Sequence, residues 1–186
     1  MNSRTNRLAK ELLGMRQLKE EAALIDFSAS GEAADSYVVT FRCKGLTLDA
    51  AGKPRIAEEH RIKISLTAGY PKWGNAPVVE QITPIFHPNF QPPPKTGVCT
   101  DTWKWTPAET VADLVLRLFN MVRYQLYNLG DPWNQKAVAW VEANRSKLPM
   151  DGRSWAKAAG EEMPLAKVAS APKPPEDDFQ VRVVKK

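Results

Sequence analysis

Residues 85–107, IFHPNFQPPPKTGVCTDTWKWTP, decide how the rest of the chain is read. Within them Cys99 stands ten residues after Asn89 and six before Trp105. A thiolate is the strongest nucleophile among ordinary side chains near neutral pH, and a thioester formed on it stays open to attack by an amine. An amide such as that of Asn89 is suited to donate to the oxyanion that appears when a thioester carbonyl becomes tetrahedral. Pro88 locks its own φ and restricts His87 in front of it, which favours a tight turn leading to Asn89. The stretch points to covalent thiol chemistry, with Asn89 either an oxyanion donor or the cap of a turn.

Upstream, residues 23–28, 36–43, 59–67 and 78–85 read as strands separated by turns bearing Gly, Asp and Pro. In the third, Ile62, Ile64 and Leu66 alternate with Arg61, Lys63 and Ser65, as in a sheet with one buried and one wet face. A four-stranded antiparallel meander is the simplest arrangement. Before it, over residues 3–20, Leu8, Leu12 and Met15 share one face of an amphipathic helix, with Arg7 and Lys10 away from that stripe. Downstream, Val111, Leu114, Val115, Leu118, Met121 and Val122 give the best periodic signal in the chain. Two capping boxes compete for its start, Thr106 with Glu109 and Thr110 with Asp113. A further helix is expected from Asn134 to just before Pro149, carrying Ala137, Val138 and Val141 inward, and a short fourth over 153–162. The fold class is α+β, with one domain over residues 1–162. The Pro- and Lys-rich residues 163–186 cannot bury much surface and read as a flexible tail.

Composition narrows the function. With 186 residues and a hydrophobic content of 43%, the chain has ample material for one core. Its net charge of +5 owes much to the two ends, where Arg4, Arg7, Lys10, Arg16, Lys185 and Lys186 lie, so no nucleic-acid face is indicated. Cys43 and Cys99 belong to no metal-spaced cluster, and no phosphate-binding glycine loop is present, so neither a metal nor a cofactor is expected. Cys43 reads as a packing residue. No run resembles a secretion signal or a membrane span, and the free cysteines suit a reducing compartment, so a cytoplasmic location is expected.

The order helix, four strands, His-Pro-Asn, cysteine and further helices resembles the ubiquitin-conjugating enzyme family. The resemblance covers roughly residues 1–160 and is carried by Tyr70-Pro71, Ile85-Phe86-His87-Pro88-Asn89, Gly97-Val98-Cys99, Asp101, Trp105-Thr106-Pro107-Ala108 and Asp131-Pro132-Trp133-Asn134. Each motif is weak alone, and their order and spacing together are specific. The resemblance implies that Cys99 accepts the C-terminus of ubiquitin or a ubiquitin-like protein from an activating enzyme and yields it to an amine, usually a substrate lysine. Asn89 would stabilise the oxyanion or hold the nearby loop, and Asp131 would orient or help deprotonate the incoming lysine. His87, Pro88, Asp101 and Trp105 would support the site. Arg7 and Lys10 of the first helix, with Pro107 and Ala108, would meet the activating enzyme and a ligase or substrate protein.

Departures from the family pattern are equally legible. Lys72 stands where eukaryotic members often present an apolar ligase contact, Thr100 follows the cysteine in place of leucine, and Trp105 follows it two residues sooner than is common. They point to a divergent member, bacterial or carried by a mobile element, with its own ubiquitin-like protein; for such a member the family resemblance implies protein tagging in defence against phage. Two other readings compete: a cysteine hydrolase using Cys99 and His87, and an inactive module that only binds ubiquitin.

Overall fold

The computed structural model describes residues 3–31, 33–100 and 105–158. Helix α1, Ser3–Glu21, buries Leu8, Glu11, Met15 and Leu18, so the inward stripe contains a carboxylate. Six strands follow: β1 Ile25–Ser30, β2 Ser36–Phe41, β3 Gly45–Leu48, β4 Pro54–Ala57, β5 His60–Ser65 and β6 Val78–Gln81. Strands β1, β2, β5 and β6 form the expected antiparallel meander in chain order. The hairpin of β3 and β4 interrupts it as a separate two-stranded sheet, which was not expected. Asp49 builds its turn, accepting from the backbone N–H of Ala51 at 2.9 Å and of Lys53 at 2.8 Å.

The register sends one side of the meander inward. Tyr37 lies opposite Ile64, Val39 opposite Ile62 and Phe41 opposite His60, all buried, while Arg61 and Lys63 between them are exposed. This face merges with the α1 stripe and with helix α2, Val111–Val122, in one apolar cluster. Thr110 and Asp113 cap α2 reciprocally, so the later of the two competing starts is used. The earlier one closes a turn instead, with the Thr106 N–H donating to Glu109 Oε2 at 3.1 Å.

Helix α3, Gln135–Ala143, begins at Asn134, whose Oδ1 accepts from the Ala137 N–H at 3.2 Å. It buries Ala137 and Val141 in a second cluster with Leu46 of β3, Phe86 and Tyr124. Its chain continues into a short 3-10 turn, Arg145–Lys147, and reaches no further than Pro149 as a helix. The expected fourth helix is absent over residues 153–158, which run instead as an extended strap against the end of α1. Ala23 N–H donates to Trp155 O and Lys157 N–H to Glu21 O, each at 2.8 Å. The cause is Asp151, buried and bound by the Lys44 N–H at 2.9 Å and by both the backbone and the guanidinium of Arg153. Those bonds fix the chain sideways and lay Trp155 against the core before a helical turn can form. The rest of that segment and residues 163–186 lie outside the described residues.

The seam between the two clusters positions the site. Ile85 and Phe90 belong to the first cluster and Phe86 to the second, so His87, Pro88 and Asn89 are held between two separately packed bodies. No helix among the described residues is long and apolar enough to cross a membrane.

Candidate active site

Asn89 is the hub. Its backbone carbonyl accepts from the Cys99 N–H at 2.8 Å, and Phe90 and Val98 pair beyond it as an isolated antiparallel bridge. Its side-chain Oδ1 accepts from the Asn128 N–H at 2.8 Å, and Nδ2 donates to the carbonyls of Asn128 at 2.9 Å and Asp131 at 3.4 Å. Next to it the Pro88 carbonyl accepts from the N–H groups of Trp133 and Asn134, at 2.9 and 3.0 Å. Through one buried residue, Cys99 and Asp131 are tied to a common brace, 32 positions apart in sequence. Both polar ends of the Asn89 amide are spent on the loop rather than aimed at the thiol.

Cys99 is 0% exposed, yet it belongs to neither apolar cluster. Cys43 is also buried but sits inside the first cluster, where burial pushes its thiol up to about 12. The packing reading of Cys43 therefore has a physical basis. Asp131 is exposed, ahead of α3.

His87 is buried between Phe90, edge-on at 5.2 Å, and Tyr124 at 4.8 Å. Its Nδ1 accepts from the Asn89 N–H at 3.1 Å, which closes the turn the Pro88 geometry favours. Burial drives its pKa down to about 3, the Leu126 backbone pulling weakly the other way, so the ring is neutral at physiological pH. An enclosed imidazole of such low basicity, its Nδ1 already accepting from Asn89, makes a poor general base, which weighs against the Cys99/His87 hydrolase. Tyr124 completes this support. Its backbone lies in the left-handed region at φ 58°, a conformation costing a non-glycine residue roughly 1 kcal/mol or more, and its hydroxyl donates to the Phe86 carbonyl.

A second polar node joins α1 to the start of α2. Glu11, only 2% exposed, accepts from the Tyr70 hydroxyl at 2.5 Å, the Val111 N–H at 2.8 Å and the Arg7 guanidinium. Arg7 also donates to the Pro107 carbonyl at 2.8 Å and to the Glu109 carbonyl, while Trp105 packs on the Tyr70 ring at 5.5 Å. Arg7 is thus turned inward rather than away from the buried stripe, because Glu11 draws it across the helix surface. Of the two basic residues only Lys10 is fully presented to solvent, and Ala108 is exposed beside half-buried Pro107. Asp101 lies outside the described residues. The sequence reading missed Glu11, Tyr124 and Asn128. Glu11 was detectable, since position 11 falls on the Leu8–Met15 stripe; Tyr124 and Asn128 follow α2 in a segment without periodicity.

The family model for ubiquitin-conjugating enzymes matches residues 15–153. This chain belongs to the ubiquitin-conjugating enzyme family. Solved structures similar to it include a novel ubiquitin-conjugating enzyme at 20% identity and TM-score 0.56, covering 75% of this chain and 86% of that one. Another is the E2 domain of a Toxoplasma gondii ubiquitin conjugating enzyme at 22% identity and TM-score 0.55, covering 76% of this chain and 88% of that one. At these identities the likeness carries the fold alone. No curated protein matches the sequence closely enough to count as a relative. Beside Lys72, Trp73 is 74% exposed.

Proposed function

We propose that the chain is a covalent relay in protein modification. The Cys99 thiolate attacks the thioester carbonyl of a ubiquitin or ubiquitin-like C-terminus carried by an activating enzyme. A new S–C bond forms on Cys99, the bond to the activating enzyme's sulfur breaks, and the departing thiolate takes up the proton that Cys99 gave up. A neutral lysine amine then attacks the same carbonyl, an amide forms as the C–S bond breaks, and the departing Cys99 thiolate takes up the proton the nitrogen gives up. ATP is consumed earlier, by the activating enzyme. The observation that carries this reading is the Asn89 brace, which ties the cysteine backbone and the Asp131 loop to one buried residue. In it Asn89 preserves the geometry of the loop, and Asp131 orients the lysine ammonium and helps remove its proton.

Pro107 borders a groove of about 570 Å³ shared with Tyr70, Lys72 and exposed Trp73. We assign this end, with Lys10 and Ala108, to the activating enzyme and a ligase or substrate protein; Trp73 supplies the apolar contact that Lys72 cannot. The departures at Lys72, Thr100 and the shortened Cys99 to Trp105 spacing support a divergent member, and the finer placing in a bacterial conjugation system acting against phage rests on analogy within the family.

One observation favours a second reading, a binding module that carries no thioester: the Cys99 side chain is fully covered. A charging assay separates the two. Purified protein is mixed with an activating enzyme, ATP, and either ubiquitin or the ubiquitin-like protein encoded beside it, then run with and without reductant. The relay gives a reductant-sensitive adduct, absent in Cys99→Ala and converted to a reductant-resistant ester in Cys99→Ser. Binding without any adduct in both modifier systems would establish the module instead.

A further inference from the structure

A groove of about 390 Å³ opens beside the cysteine, lined by Val98 and Thr100 on either side of it and walled by Val78, Glu80, Gly97 and Trp133. Its floor is built by close approach. A Cβ on Gly97 would stand 3.1 Å from the Trp133 ring and 2.6 Å from Gln91 Oε1, so only glycine lets the indole settle there. Gln91 holds that glycine from both sides, accepting from its N–H at 3.1 Å and donating its own N–H to its carbonyl at 2.9 Å. Trp133 nevertheless remains 38% exposed, because Pro88 binds its backbone and not its ring.

Among the described residues the lining of this groove carries one carboxylate and no cation. Glu80 is the ionisable side chain lining it among the described residues, and exposed Asp131 stands two positions before Trp133. Glu80 accepts from the Thr96 hydroxyl at 3.2 Å, and among the described residues no ion pair joins it to Lys63, its cross-strand partner on β5. An exposed indole face in a groove whose ionisable lining is a carboxylate is a setting that attracts cations by ring quadrupole and by charge.

Resting on the relay reading, we infer that this groove receives the acceptor segment and selects lysines flanked by basic residues over lysines flanked by acidic ones. Glu80 and Trp133 are the specificity-determining side chains: the indole seats a flanking cation or its alkyl stem, and Glu80 neutralises it while the lysine reaches Cys99.

Two measurements test this. In the first, the uncharged full chain, isotopically labelled, is titrated with a capped pentapeptide bearing arginine on both sides of a central lysine, and with its aspartate counterpart. The arginine peptide is expected to shift the Trp133 indole and Gly97 amide signals, and the aspartate peptide to leave them in place. In the second, protein charged with modifier is discharged onto each peptide and onto free lysine. The arginine peptide should react roughly two- to fivefold faster than the aspartate one, the range an exposed charge pair commands. Glu80→Arg should erase or reverse that ratio with unaltered loading and unaltered discharge to free lysine. Equal rates for the two peptides, or a preference that survives both Glu80→Arg and Trp133→Ala, would overturn the assignment. Failure to charge would overturn the relay and leave the titration to decide the groove.

Discussion

Asn89 stands at the point where a side chain's chemistry and its architecture make different demands. Its Nδ2 donates to Asn128 and Asp131 and its Oδ1 accepts from Asn128. Truncation therefore strips one N–H and two carbonyls of partners in a half-buried loop. Asn89→Ala is expected to lower the unfolding free energy by about 1–3 kcal/mol, the cost of leaving such groups unpaired, and to speed hydrogen exchange at the Asn128 amide. Urea denaturation and exchange measurements check both. Full stability with lost lysine discharge would instead mark the amide as an oxyanion donor. Residue identity was legible in the sequence and residue role was not. The tripeptide predicts a tight turn at His87-Pro88-Asn89, but nothing local announces that the amide reaches Asn128, 39 positions away.

At the scale of elements, the helices and strands with apolar periodicity were the readable ones. The α2 stripe and the four strands of the meander all follow from burial on one face. The β3–β4 hairpin escaped because each strand is four residues long and β4 exposes Arg55 and Ile56, though Asp49 and Gly52 mark its turn. The strap over 153–158 escaped because its helical composition is overridden by the ion pair of Arg153 with Asp151, a contact between side chains and not a pattern. Glu11 shows what apolar counting overlooks. It joins α1 to the first amide of α2 and, through Arg7, to the carbonyls that precede α2. Glu11→Ala leaves a guanidinium, a phenol and an amide without their partner, so a loss of about 3 kcal/mol is expected. Thermal melts measure it; Glu11→Gln should recover part, since an amide oxygen still accepts from Val111. A neutral Glu11→Ala variant would mean that water replaces the carboxylate there.

For the molecule as a whole, three buried groups set one pH response. His87, at about 3, stays neutral when folded, His60 is lowered in the same direction by burial, and both take up protons near 6.5 when unfolded. Asp151 is held below the usual carboxylate range, chiefly by the Arg153 side chain. In all three the unfolded chain binds more protons, so stability is complete above about pH 6.5 and falls as the pH drops. The histidine contribution goes first, below about 6.5, and the Asp151 contribution follows below about 4. Urea midpoints followed by tryptophan fluorescence at pH 7, 5.5 and 4.5 should decline in that order. A midpoint that is flat over this range would show the two imidazoles to be protonated in the fold.

The complete cover over Cys99 also bears on oxidative chemistry. Peroxide and glutathione disulfide act on thiols they can reach, and sulfenic acid formation follows exposure as well as thiolate character. With Cys43 enclosed in the core and Cys99 enclosed at the seam, neither sulfur of the resting chain meets small oxidants directly. On the relay reading, such a chain would spend its idle time chemically sheltered, and its liability to irreversible overoxidation would be confined to the moments when the thiol is at work.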